Sequence, residues 1–128
     1  MSHVLALVDN LFFQARIQAV AKQIGVEVRM ASTGEDLVTE ALANPPALVI
    51  VDLNAKSNPL DAVRRLRGSE TPALIIGYLA HVQTELAGEA AEAGCSQVMP
   101  QGKFTQELPM ILARARGKFE GKIEKKSS

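Results

Sequence analysis

The sequence predicts an α/β fold: a (βα)5, doubly wound, five-stranded parallel sheet in a three-layer α/β/α sandwich. Three observations predict it. Short apolar stretches, Val4 to Val8, Ala47 to Val51 and Pro72 to Leu79, alternate with segments patterned at helical spacing. The connections between them are short, which suits right-handed crossovers. Two of the apolar runs stop at acids, Asp9 and Asp52, and the carboxyl edge of such a sheet is where ligands bind.

Val4 to Val8 forms the first strand. Leu11 to Ile24 forms a helix, with Phe13, Ile17, Val20 and Ile24 on one stripe and Gly25 as its stop. Val26 to Ala31 alternates apolar residues with Glu27 and Arg29, as a strand with one wet face does. Ser32 or Thr33 caps a second helix carrying Leu37, Val38, Ala41 and Leu42, which Asn44-Pro45-Pro46 ends. Ala47 to Asp52 is a third strand, β-branched and buried on both faces.

Asn58-Pro59-Leu60-Asp61 starts a third helix, with Asn as cap, Pro in the first turn and an acid at the dipole's positive end. That helix buries Leu60, Val63 and Leu66 and stops at Gly68. Pro72 to Leu79 is the fourth strand, and Gly77 within it suggests a close backbone approach. Val82 to Ala93 is an Ala-rich helix, and Cys95 to Met99 a short last strand. The final helix carries Leu108, Ile111, Leu112 and Ala115. Thr105 suits its cap, whereas Pro109 would suit a later start. The domain is expected to span 1–117, with 118–128 a polar, basic, disordered tail.

The chain has 128 residues, enough for one domain with a core. Apolar residues make up 47%, and no apolar run approaches a membrane span. Lys plus Arg equal Asp plus Glu at 14 each, so no global field favours nucleic acid. The first strand follows Met1 at once, so no signal peptide is expected, and the lone Cys95 excludes an internal disulfide. A cytoplasmic location without membrane or nucleic-acid partners is the expectation. His3 is expected at the surface, His81 in a solvated loop near the pocket mouth, Cys95 as a small buried residue. The Tyr78 hydroxyl is expected to reach the sheet edge or solvent.

From Val4 to about Ala115 the chain resembles the receiver domain of bacterial two-component response regulators. The resemblance rests on Val-Ile-Val-Asp-Leu-Asn at 49–54, on Asp9-Asn10 and on Leu79-Ala80. It implies a CheY-like fold with strand order 2-1-3-4-5. It places Asp52 at the phosphoacceptor position and Asp9, Asn10, Asp52 and Asn54 at the Mg²⁺ positions, Asn54 through its backbone carbonyl. Asn10 stands where the family has a second acid. Leu79 stands where the family has a hydroxyl, Val98 at the aromatic switch position and Gln101 on the invariant lysine. An alternative placing sets Met99-Pro100 on the family's Lys-Pro pair. Neither placing supplies a lysine, and Lys103 lies two positions beyond Gln101.

These departures resemble the atypical, or pseudo-, receivers. Phosphoryl transfer needs charge neutralised on the transferring oxygens. Asn10 weakens a Mg²⁺ site, Gln101 donates only a neutral hydrogen bond, and Leu79 donates nothing. The matched pocket counts two acids and no cation. The implied function is a non-enzymatic signalling module that binds a protein partner, a signalling protein or histidine kinase. The face of the fourth helix, fifth strand and fifth helix would serve partner or homodimer, with Ala87, Ala90 and Ala91 allowing close approach. No cofactor is required, and Mg²⁺ is at most weakly bound. One alternative is a working receiver phosphorylated at Asp52 with Mg²⁺. Another is a flavodoxin-like small-ligand domain, against which stands the lack of a Gly-rich loop after Asp9-Asn10. Asp52 also reads as a strand-end turn acid, and Asp9 equally as a local turn acid or a metal ligand.

Overall fold

The computed structural model describes residues 3–80 and 83–127, with side chains described as far as residue 116. Strands and helices alternate as β1 His3–Leu7, α1 Leu11–Ile24, β2 Glu27–Ala31, α2 Gly34–Ala43, β3 Leu48–Asp52, α3 Pro59–Gly68, β4 Leu74–Leu79, α4 Thr84–Ala93, β5 Gln97–Pro100 and α5 Gln101–Ser127. The strands form one parallel sheet in the order β2-β1-β3-β4-β5.

Period-two alternation divides the core into two layers. Val4, Ala6, Leu48, Ile50, Ile76 and Tyr78 face α1 and α5, where Phe13, Ile17, Phe104, Leu108 and Leu112 meet them. Leu5, Leu7, Val49, Val51, Ile75 and Leu79 face the other way, onto Leu37, Val38, Val63, Leu66 and Ala90 of α2, α3 and α4. A strand buried on both faces must be apolar at every position, which is why β1, β3 and β4 read as unbroken runs.

The local signals mostly act as the sequence predicts. Gly25 ends α1 in the left-handed region and Thr33 rather than Ser32 caps α2, while Asn10, not read as a cap from the sequence, caps α1 through its side chain. At Gly77 an added Cβ would stand 3.0 Å from Leu53 Cδ1 and 3.2 Å from Cys95 Sγ, so side chains, not the backbone approach expected, crowd this position.

Several expectations are corrected. His3 is 7% exposed, not at the surface, because β1 is an interior strand. Its Nε2 has no hydrogen-bond partner. Tyr78 is 2% exposed and packs between Phe13 and Phe104, with ring centroids 5.1 and 4.7 Å away. Asn58 precedes α3 in a left-handed conformation, and its side chain makes no cap. Leu42 is 55% exposed, one helical step past the buried stripe that ends at Ala41. α5 begins at Gln101 and runs through Pro109, so neither suggested start holds. Phe104 and Leu108 anchor its first turns in the core, which outweighs the lost amide donor. Its backbone is helical to Ser127. His81 lies outside the described residues. No helix is long and apolar enough to cross a membrane among the described residues.

Candidate functional site

β1 and β3 are neighbours in register, Leu7 beside Val51, so the residues that follow them meet at one edge of the sheet. Asp52 has the parity of Leu48 and Ile50, and its side chain turns towards α1 and α5. There it lines a cavity of about 540 Å³ together with Asn10, Phe12, Phe13, Arg16, Tyr78, Gln101 and Thr105. Phe13 and Tyr78 are buried and give it an apolar wall.

Asp52 is half-buried. Its Oδ1 accepts a hydrogen bond from the Asn54 amide at 2.9 Å. Burial pushes its carboxyl above the ordinary value; the Asn54 and Asp9 amides pull it down, and the Asp9 charge adds to the rise. Burial likewise holds the Tyr78 phenol well above its ordinary value, helped by the charges of Asp52 and then Asp9.

The predicted metal positions are largely engaged elsewhere. Asp9 Oδ2 accepts from the Lys56 amide at 2.9 Å. Asn10 Oδ1 accepts from the Phe13 amide at 2.9 Å, as the cap of α1. The Asn54 side chain accepts from the Ala80 amide at 2.7 Å and donates to Gln83 Oε1 at 3.1 Å. Among the described residues no cluster of three or more His, Cys, Asp or Glu side chains is placed to hold a metal ion. Two carboxylates, each already accepting a backbone amide, are a short donor set for Mg²⁺, which prefers octahedral oxygen.

Leu79 and Val98 do not line the cavity. Leu79 is 3% exposed in the opposite core layer, and Val98 packs against that same layer. Gln101 does line it, at the first position of α5. Met99 is buried, and Pro100 lies beside Leu79. Lys103 is exposed, 4.0 Å from Glu107, and is not among the lining residues.

Sequence reasoning missed Arg16 and Thr105. The signal was present, since Phe13 and Ile17 fix the buried stripe of α1 and Arg16 stands at its edge. Which sheet edge that stripe overlooks depends on strand order, which spacing alone does not give. The formal charge also changes. The matched positions count two acids; the lining pairs one acid, Asp52, with one guanidinium, Arg16.

No protein-family model matches the chain, and comparison with the curated proteins gives no match. Solved structures do match in fold. The chemotaxis protein CheY4 of Vibrio cholerae superposes with a TM-score of 0.78 at 19% identity, over 90% of this chain and 98% of that one. A response regulator from Burkholderia pseudomallei, with a phosphorylated aspartic acid, calcium ion and citrate, gives 0.76 at 18%, over 97% and 75%. A response regulator from Thermotoga maritima gives 0.69 at 18%, over 88% and 99%. The chain has the fold of the response-regulator receiver domains.

Proposed function

We propose that this chain is an atypical receiver-type module of two-component signalling. It acts by binding a protein partner in the cytoplasm, not as an independent enzyme, and its Asp52 pocket does not drive the usual receiver switch. One observation carries the reading. Leu79, at the position matched to the switch hydroxyl, is buried in the core layer opposite the cavity that Asp52 faces, and Val98 packs with that layer. A ligand shifts an equilibrium only through contacts that differ between its two states. An occupant at Asp52 has no hydroxyl at Leu79 to pull and no ring at Val98 to turn. The test is the affinity of a cognate signalling partner for wild type and Asp52→Asn, with and without a phosphoryl mimic. Affinities within a few-fold of one another are expected. A change of about tenfold, or about 1.4 kcal/mol of coupling, would refute the reading.

A working phosphoacceptor is the second reading, favoured by the position of Asp52 on an open cavity large enough for a phosphodonor. Incubation with a small-molecule phosphodonor and Mg²⁺, read by intact mass, tests it. A stable phosphoryl adduct, absent in Asp52→Asn, would establish it.

A further inference from the structure

A second cavity, of about 700 Å³, opens at the amino-terminal edge of the sheet, where β3 and β4 begin side by side at Leu48 and Leu74. It shares no lining residue with the cavity of Asp52, which lies four residues, about 13 Å, further along β3. Its space comes from small side chains. Ala47, Ala73, Ala113 and Ala115 line it, and the one long apolar side chain on its α5 side, Met110, is 65% exposed. Small-molecule sites have volumes of roughly 300–1,000 Å³ and are apolar with a few placed polar groups.

The polar groups here are Arg67, Ser96 and Arg114, and no acidic residue is among the described lining. Arg67 is half-buried and bonds only neutral oxygens. Its Nε donates to the Gly94 carbonyl at 2.7 Å, its Nη1 to the Thr71 and Ala73 carbonyls at 3.0 and 2.9 Å, and its Nη2 to Ser96 Oγ at 2.9 Å. A guanidinium carries five N–H donors, so one on Nη2 has no acceptor among the described residues. Ser96 Oγ accepts from Arg67 and from the Ile75 amide, which leaves its own hydrogen to donate. Arg114 is exposed, donates to Gln97 Oε1 at 3.0 Å and has no ion-pair partner among the described residues. Charge drawn away from water is ordinarily paired. Here two guanidinium groups stand against an apolar wall with no carboxylate beside them.

We propose that this cavity binds a small organic monocarboxylate with an apolar body. Arg114 supplies the planar fork that a carboxylate fits, and Ser96 and Arg67 supply neighbouring donors. Leu48, Leu74 and the alanines receive the apolar body. A bare anion would leave that wall wet, and an uncharged ligand would leave both guanidinium groups unpaired. The assignment goes beyond the partner-binding reading and does not rest on it, since no residue of the Asp52 cavity takes part.

The experiment is a titration of the purified full chain with 2-naphthoate at constant ionic strength, followed by backbone amide NMR. Acetate, which has the head without the body, and 2-naphthamide, which has the body without the charge, are the comparisons. Saturable shifts with 2-naphthoate are expected at Ala73, Leu74, Ser96 and Ala113, and none at Asn10, Asp52 or Thr105. Acetate and 2-naphthamide are each expected to bind about tenfold or more weakly, because one loses the apolar burial and the other the charge-assisted bond. Arg114→Gln should weaken 2-naphthoate by a similar factor and leave 2-naphthamide unchanged, and Arg114→Lys should retain part of the affinity. Ala113→Phe should fill the cavity and abolish binding. Arg114 is exposed, so its variants keep the core intact even if Ala113→Phe does not fold, and spectra without ligand check both. The proposal is overturned by shifts that do not saturate, by shifts centred on Asp52, by equal affinity for 2-naphthamide, or by equal affinity in Arg114→Gln. None of these outcomes bears on the affinity for a protein partner.

Discussion

Asp52 and Tyr78 stand side by side on adjacent parallel strands, in register, and both line the cavity between α1 and α5. Tyr78 is the chain's single tyrosine, so its ionisation can be read without interference. Burial and the neighbouring carboxylates raise its value, so the folded protein holds the phenolic proton more tightly than the unfolded chain. That contribution to stability is complete below the unfolded value of about 10 and is lost as pH rises beyond it. Ultraviolet titration should show no phenolate near pH 10, then a rise coincident with unfolding. Tyr78→Phe should flatten this alkaline loss of stability.

Asp52 follows the same sign, because its carboxyl is raised by burial first of all. Its stabilising share is complete below the unfolded carboxyl value, about 4, and is lost as pH climbs through the raised folded value. At pH 7 the ionised group therefore opposes folding. Asp52→Asn is expected to stabilise the protein at pH 7 by less than about 1 kcal/mol, the charge being half exposed and screened. Urea unfolding of both proteins at pH 7 and at pH 4 checks it. The gain should shrink at the lower pH.

Mg²⁺ binding is expected to be weak, in the millimolar range or above, because Asn10 is neutral and serves as the cap of α1. Asn10→Asp should strengthen it. Aspartate caps helices as well as asparagine does, so the variant should keep its stability in the absence of metal. Calorimetric titration of both proteins gives the comparison, and equal affinities would count against a metal site at this edge.

Gly34 opens α2, where a Cβ would sit 2.6 Å from the Ser57 carbonyl oxygen and 3.0 Å from that of Asn58. Both obstacles are backbone, and the Gly34 amide also donates to Ser57 at 3.1 Å. Gly34→Ala should cost about 1–3 kcal/mol, since the loop has no flexible side chain to move aside. Gly88→Ala, with nothing within 4 Å of its Cβ, is the matched control and should be neutral or stabilising.

The sheet was legible because its interior strands are buried on both sides and leave no polar position to confuse the pattern. The bounds of α1 came from its apolar stripe and the Gly25 stop, whereas the Asn10 cap went unread. The placement of Asp52 at a cavity followed from the acid that ends an apolar run. What stayed hidden depends on contacts between elements distant in sequence. His3 looked like a surface residue because nothing local says that β1 has neighbours on both sides. Pro109 looked like a helix start because local rules cannot weigh the anchoring of Phe104 and Leu108. Arg16 went unremarked because its place on the cavity depends on which strand end α1 overlooks.

The Asn54 side chain spans the carboxyl edge of the sheet, holding the amide of Ala80 on one side and the Gln83 side chain next to it. The loop after β3 and the loop after β4 are thus fastened by one amide group. Motions that open the approach to Asp52 from that side must be shared between the two loops, since either one moving alone breaks the same bonds. Amide exchange should report this as a single opening event, with Ala80 and the segment 53–56 gaining or losing protection together. In Asn54→Ala the two loops would be free to open on separate clocks.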